Sequence, residues 1–176
     1  MSLTFISTFD STFEVQWFYI IPTMKNFWLM KSEPDVFSID HLKKDETTLW
    51  EGVRNYQARN FMMNDMKEGD EILFYHSSCE PPGIAGLAVV TKEKLPDPSQ
   101  FDKKSKYFDS KATKEKPIWY CVHVGFKKKF ANLIPLSILK DTKPLSELLV
   151  LKRGQRLSIQ PVTKSDFDFI VKNLAK

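Results

Sequence analysis

The stretch Ile118-Trp119-Tyr120-Cys121-Val122-His123-Val124-Gly125-Phe126 decides the fold class. β-Branched and aromatic residues dominate it. Ile118, Tyr120, Val122, Val124 and Phe126 fall on one side of a period-two pattern, with Trp119, Cys121 and His123 on the other. That alternation predicts a strand, which Lys127 to Phe130 continues or ends. Working outward, the same reading predicts further short strands. Phe27 to Met30 is stopped at Glu33-Pro34, because Pro34 cannot donate to a ladder. Glu71 to His76 and Ile84 to Thr91 follow, the second kept slim by Ala85, Gly86 and Ala88. Arg156 to Gln160 is stopped by Pro161.

Short helices separate these strands. Ser38 has the character of an N-cap, with Phe37 and Leu42 as a hydrophobic staple across it and a helix through about Lys44. Asn55 caps a second helix, whose apolar face is Ala58, Phe61, Met62 and Met66, and Gly69-Asp70 ends it. Pro135 to Lys140 and Leu145 to Leu149 read as helical turns. The last helix is capped by Thr163, has Asp166 at N3, and buries Phe167, Ile170, Val171 and Leu174. Leu49 to Arg54 is irregular. Lys92 to Pro117, with Pro96, Pro98 and many lysines, reads as a solvated loop holding at most a turn of helix. Five or six short strands with interspersed short helices predict an α+β fold built on a small, mostly antiparallel β-barrel.

The chain of 176 residues is long enough for one domain, and 42% hydrophobic residues, including 14 Phe and 4 Trp, supply an aromatic-rich core. The net charge of +4 permits a polyanionic partner without requiring one. No apolar run approaches the ~20 residues needed to span a bilayer, so no membrane partner is expected. Residues 1–25 are read as an N-terminal extension. It is either a strand or arm packed on the domain, or the result of a start placed too early, Met24 being the alternative start; the domain proper is 26–176. No basic region precedes the short apolar patch Trp17–Ile21, so it does not read as a secretory signal.

Catalytic signatures are absent. There is no phosphate-cradling glycine loop, no HExxH and no GxSxG, so no nucleotide cofactor is expected. His41, His76 and His123 have no ligand spacing, and Cys79 and Cys121 form no CxxC pair, so no metal is expected either. Cys121 reads as a small buried hydrophobe. Two clusters carry chemistry of another kind. In Trp28-Leu29-Met30-Lys31-Ser32-Glu33-Pro34 an aromatic, a cation, a hydroxyl and an acid meet at a strand end, though Trp28 reads equally as core. In Trp50-Glu51-Gly52-Val53-Arg54-Asn55-Tyr56-Gln57-Ala58-Arg59-Asn60 a Trp lies in a glycine-containing loop just before a helix N-terminus. Trp50 there can stack on a base, and Asn55 can donate to and accept from a base edge. Arg54 and Arg59 can meet phosphate, or Arg59 can simply solvate its helix. Tyr75 and His76 read equally as core and as a local hydrogen-bonding group. Arg156, Ser158 and Gln160 share a polar face opposite Leu157 and Ile159.

Taken together these segments resemble the EVE domain family, relatives of the PUA and YTH folds. The blocks are Trp28–Pro34, Trp50–Asn60, Phe74-Tyr75-His76-Ser77, Pro82-Gly83-Ile84-Ala85-Gly86 and Gln155–Pro161, in the family's order over residues 26 to the C-terminus. They are most similar to the thymocyte nuclear protein type of EVE protein. The resemblance implies a PUA-like barrel with flanking helices and a pocket for a modified base, with 5-methyl- or 5-hydroxymethylcytosine in DNA favoured. It implies Trp50 as an aromatic wall, and Lys31, Ser32, Val53, Asn55, Tyr75, Ser77 and Ser158 as pocket or rim. Trp28, Glu33, His76 and Gln160 complete the candidate base pocket. Arg54 and Arg156 would be structural or phosphate-facing, with Arg59 beside them, and no residue is assigned a catalytic role. The resemblance places the protein in a bacterial cytoplasm or a eukaryotic nucleus.

A modified base must leave the duplex to be inspected, at a cost of a few kcal/mol. Stacking contributes roughly 1–3 kcal/mol per base and a methyl group about 1. Methyl discrimination by burial alone is therefore modest. The sequence leaves three other readings open: an RNA-binding PUA-like module, an enzyme acting on a nucleotide or modified base using a group such as Glu33 or His76, and a protein-interaction scaffold.

Overall fold

The computed structural model describes residues 25–175. The expectations for the extension upstream of Met24 lie outside the described residues. Strand β1 (Phe27–Ser32) opens the fold and is followed by helix α1 (Ile39–Asp45), the short strand β2 (Thr47–Leu49) and helix α2 (Tyr56–Asn60), which runs on as a wide π-helical turn over Phe61–Asp65. Strands β3 (Glu71–His76), β4 (Gly83–Pro96) and β5 (Tyr120–Pro135) form the centre. Helix α3 (Leu136–Asp141), strand β6 (Ile159–Val162) and helix α4 (Lys164–Phe169) close the chain.

The strands form one mixed sheet in the order β2-β5-β4-β3-β1-β6. Among the described residues only the β1–β3 pair is parallel; the other four pairings are antiparallel. Register shifts interrupt β4 four times against β5, and such bulges bend strands. Residues of β1, β3, β4, β5 and β6 (Met30, Phe74, Val90, Val122 and Ile159) meet in a single buried cluster, with Leu49 of β2 packed against it. The sheet therefore curls around that cluster in barrel fashion.

The opposite face is also covered. Leu29, Leu73, Tyr75 and Ile84 pack there against Leu139, Leu145, Phe167 and Ile170. Because side chains alternate along a strand, each residue of β1 and β3 is committed to one face by parity. Trp28, Met30, Ile72 and Phe74 go to the inner cluster, and Leu29, Leu73 and Tyr75 to the outer one.

The helix caps match the sequence reading. Ser38 accepts from the His41 amide, with His41 Nδ1 accepting in return from the Ser38 amide at 3.0 Å. Asn55 accepts from the Gln57 and Ala58 amides, and Thr163 from Asp166.

Four expectations are corrected. Strand β2 is additional to the expected strands, and its last residue, Leu49, falls at the start of the stretch expected to be irregular: its three residues carry little pattern of their own, and its pairing partner is β5. Strands β4 and β5 run on to Pro96 and Pro135, beyond Thr91 and Phe130, because their long pairing tolerates the bulges. Strand β6 starts only at Ile159 and contains Pro161 opposite Trp28, which an edge strand can accommodate. Cys121, Val122 and Val124 all reach the inner cluster, so the alternation around Ile118–Phe126 does not sort its residues cleanly onto two faces.

The largest departure is the segment from Lys92 to Pro117. Its lysines are solvent-facing, but it is not a solvated loop. Asp97, Ser99 and Gln100 are buried. The Gln100 side chain donates to the carbonyls of Asp97 and Trp119, both at 2.8 Å, and accepts from the amides of Ile118 and Trp119, both at 2.9 Å. One buried amide thus ties both ends of the segment together.

Candidate nucleic-acid interface

A cleft of about 740 Å³ opens at one end of the curled sheet, within the size range of small-molecule sites. One wall is the end of β1 and the turn after it: Lys31, Ser32, Glu33, Val36 and Phe37, with Ser158 alongside. The facing wall is the loop from β2 to α2, Thr48 to Asn55. Lys106 and Tyr107, from the segment between β4 and β5, complete the rim.

Trp50 is the aromatic surface. It is 8% exposed, packs edge-on against Phe74 with ring centroids 5.6 Å apart at 85°, and borders the cleft with what remains. Its backbone amide donates to Val122 at 2.9 Å, which ends the pairing along β2. Beyond it the loop is held by side chains. Asp97 Oδ2 accepts from the Gly52 amide at 2.8 Å and from Arg54 Nη1 at 2.7 Å. Arg54 also donates to Ser99 Oγ at 2.9 Å and to the Tyr107 carbonyl, and its guanidinium lies over the Tyr107 and Trp119 rings, 5.2 and 5.1 Å from their centroids. Gly52 has φ +80°, and a Cβ there would lie 2.5 Å from Tyr107 Cε2. Glycine is required both by the backbone conformation and by the close approach.

The charges are set by burial and neighbours. Burial pushes the Asp97 carboxyl up, but the donors Ser99, Arg54 and the Gly52 amide outweigh it and hold the group below its ordinary value. Burial lowers the Lys31 ammonium, whose Nζ donates to the Gln155 carbonyl at 3.2 Å. Burial and the Asp97 charge raise Glu51, against the opposing pull of Arg54. Ser32 Oγ donates to the Phe37 carbonyl at 2.7 Å, and Glu33 accepts from Ser78 Oγ at 3.0 Å. The cleft therefore offers one aromatic wall, three cations (Lys31, Arg54 and Lys106), two carboxylates and several hydroxyl and amide groups.

Of the candidates named from sequence, Lys31, Ser32, Glu33, Trp50, Val53, Arg54, Asn55 and Ser158 border this cleft together. The remainder lie elsewhere. Trp28 is in the core, its Nε1 donating to buried Asp70 at 2.9 Å. Tyr75 has the outward parity and packs in the second cluster, where burial pushes its hydroxyl up to about 12. His76 accepts from the Ile39 amide at the start of α1, at 3.1 Å, and burial lowers its pKa. Ser77 is tied by its amide to the Ser32 carbonyl at 2.9 Å, beside the cleft and not in its lining. Gln160 is buried with its Nε2 on the Leu157 carbonyl at 2.8 Å, and so is not part of an exposed polar stripe. Arg59 is engaged with the Ile118 carbonyl at 2.6 Å and the Tyr56 ring, and Arg156 is exposed outside the cleft.

Sequence reasoning missed Asp97, Tyr107 and Lys106. The turn chemistry of Asp97-Pro98-Ser99 was a usable signal, since an Asp before a Pro-initiated turn is a capping pattern; Tyr107 carried none. Among the described residues, no cluster of three His, Cys, Asp or Glu could hold a metal ion. None of the described helices is long and apolar enough to cross a membrane.

A family model described as the EVE domain matches residues 26–173. The chain belongs to the EVE domain family. Thymocyte nuclear protein 1 of Gallus gallus is 45% identical over 163 residues, a match spanning 82% of this chain and 66% of that protein, just under two thirds of its length. A crystal structure of a Pseudomonas putida protein superposes with a TM-score of 0.79 at 48% identity, covering 82% of this chain and 97% of that one. The human THYN1 protein, solved in complex with 5-methylcytosine containing DNA, superposes with a TM-score of 0.77 at 44% identity, covering 84% of this chain and 96% of that one. The EVE match takes in every residue bordering the cleft, from Lys31 to Ser158.

Proposed function

We propose that this EVE domain is a reader of modified DNA, which takes one base, a 5-modified cytosine, into the cleft against Trp50 and acts by binding, without a reaction. The observation that carries the reading is the cleft itself: Trp50 lines one space of about 740 Å³ together with Lys31, Ser32 and Ser158. The human relative solved with 5-methylcytosine containing DNA supports the ligand class. In this reading Lys31, Asn55 and Ser158 meet the base edge and its sugar, Glu33 and Val53 border them, and Ser32, bonded to the Phe37 carbonyl, and Arg54 shape the walls. The absence of an acid, base and nucleophile set in the sequence supports binding over turnover. The site of action is wherever DNA is accessible, the cytoplasm of a bacterium or the nucleus of a eukaryote.

The test is equilibrium fluorescence anisotropy at one fixed salt concentration. Matched DNA and RNA oligonucleotides, single- and double-stranded, would carry cytosine, 5-methylcytosine, 5-hydroxymethylcytosine or N6-methyladenine. The expected result is preference for a 5-modified cytosine in DNA, lost in Trp50→Ala. Because Trp50 also supports the core, Trp50→Phe provides a folded comparison and should retain part of the preference. Equal binding to every oligonucleotide, unchanged by both variants, would remove the pocket from the account; preference for RNA throughout would reassign the module.

A further inference from the structure

Tyr56 lies beside the cleft and has no role in it. It is the first residue of α2 and 61% exposed, one of four large hydrophobic side chains left in solvent among the described residues. Its ring is nevertheless held in place. It stacks on Trp119 with centroids 4.9 Å apart and planes at 28°. Trp119 is 5% exposed and fixed in turn, its Nε1 donating to Asp109 at 2.8 Å and its amide to Gln100 at 2.9 Å. The Arg59 guanidinium sits 5.1 Å from the Tyr56 centroid. An exposed aromatic ring backed by a buried indole and flanked by a cation is ordered before any partner arrives, so little side-chain entropy is lost on contact.

We propose that Tyr56 is a stacking platform for the nucleotide adjacent to the base held in the cleft. The proposal rests on the reader reading above and extends it to a second subsite. Continuity with the cleft identifies the occupant. Asn55 borders the cleft and Tyr56 follows it. Consecutive Cα atoms are about 3.8 Å apart, so the Tyr56 ring is carried on the residue next to the cleft's edge. Arg59 beside the ring and Lys106 on the rim give the surface the sign a phosphate backbone requires. Stacking is indifferent to base identity because every base has a π face. Tyr56 therefore sets affinity, while the Trp50 wall sets selectivity, and the two contributions separate.

The experiment uses the full chain with duplexes carrying one central cytosine or 5-methylcytosine and 2-aminopurine at either neighbouring position. In the unsubstituted protein, where both neighbours lose the central base from their stack, 2-aminopurine at one of the two positions should be quenched relative to the other on binding. Tyr56→Ala should abolish that change and weaken binding roughly 5- to 100-fold, equally for both duplexes, leaving the ratio of methylated to unmethylated affinity unaltered. Tyr56→Trp should bind at least as tightly as the parent, an outcome that misfolding cannot produce. Tyr56→Ala binding within twofold of the parent, or leaving the 2-aminopurine signal intact, overturns the proposal. If the parent shows no preference for the methylated duplex, the pocket reading fails separately, and the Tyr56 effect on the unmodified duplex still decides the platform.

Discussion

The two walls of the cleft are built by different means. The Lys31 and Ser32 wall is carried on β1, which is paired on both sides, with β3 and with β6. The Lys31 amide donates to the Ser158 carbonyl at 2.8 Å and the Ser77 amide to the Ser32 carbonyl at 2.9 Å. Backbone groups make those bonds, so the wall's shape is insensitive to any one side chain. The Gly52 to Asn55 wall has no ladder. It hangs from the segment between β4 and β5, above all from the carboxylate of Asp97, more than forty residues further along the chain, with Ser99 and the Tyr107 carbonyl also held by Arg54 and the Tyr107 ring as a brace. One wall is therefore robust by construction, and the other can be loosened at a point.

The sharpest way to break this comparison is Asp97→Ala. The Asp97 side chain is 1% exposed and its Arg54 partner 21%. Removing one member of a buried pair costs about 3–5 kcal/mol, and the partial exposure of Arg54 puts the expected loss near 3. Urea unfolding measures it, and anisotropy should show at least a tenfold weaker grip on the modified base. Unchanged stability would mean that the second wall is held by something other than Asp97. The carboxyl sits below its ordinary value in the folded protein, so its stabilisation is complete above that ordinary value and is lost as pH falls through the folded-state one. Asp97→Asn should flatten that acid limb.

Gly52→Ala comes next in size. A side chain at φ +80° costs about 1–2 kcal/mol, and the new Cβ must also displace Tyr107. Gly69→Ala is the matched control: φ is +89° there, but nothing lies within 4 Å of the added carbon. Both should lower the unfolding free energy. Only Gly52→Ala should weaken base binding, and equal effects on binding would show that Tyr107 does not brace the wall.

The same contrast explains what the sequence made legible. β1, β3, the caps Ser38, Asn55 and Thr163, and the glycine in the Trp50 loop are local signals, written in period-two patterns and turn chemistry. Five of the candidate blocks come from such segments, and eight named residues fall together around one cleft. Tyr75, read as pocket, follows Phe74, and parity sends the two to opposite faces. That could be decided only by knowing that both faces of β3 are covered. The Lys92 to Pro117 segment looked solvated because its lysines are. Its order comes from a handful of polar groups: Asp97, bonded to the distant Gly52 and Arg54, and Gln100 and Asp109, bonded to Ile118 and Trp119 at the segment's far end. Composition averages over such groups, so it is blind to them.

On the robust wall the expected effects are small. Ser32→Ala removes one hydrogen bond, from Ser32 Oγ to the Phe37 carbonyl at 2.7 Å, and should cost about 1 kcal/mol without altering the preference for a modified base. A loss of that preference would show that the β1 wall depends on side chains after all.

His76 gives the finest test. Register places it opposite Ser32, and its Nε2 accepts from the Ile39 amide at 3.1 Å, a role that requires the unprotonated nitrogen. The charged groups facing it are Asp40, which favours protonation, and Lys129, which opposes it; these two are paired to each other at 2.7 Å. Burial is the larger influence and lowers the imidazole from its ordinary value near 6.5. A folded-state value below the unfolded one means that the unfolded chain binds the proton first as pH falls. The contribution to stability is therefore complete above pH 6.5 and is lost as pH falls through the folded-state value. An NMR titration of the His76 ring should give a midpoint below 6.5. A midpoint at or above 6.5 would mean that the imidazolium is tolerated at the head of α1, and that this end of the β1 wall is held more loosely than its hydrogen bonds suggest.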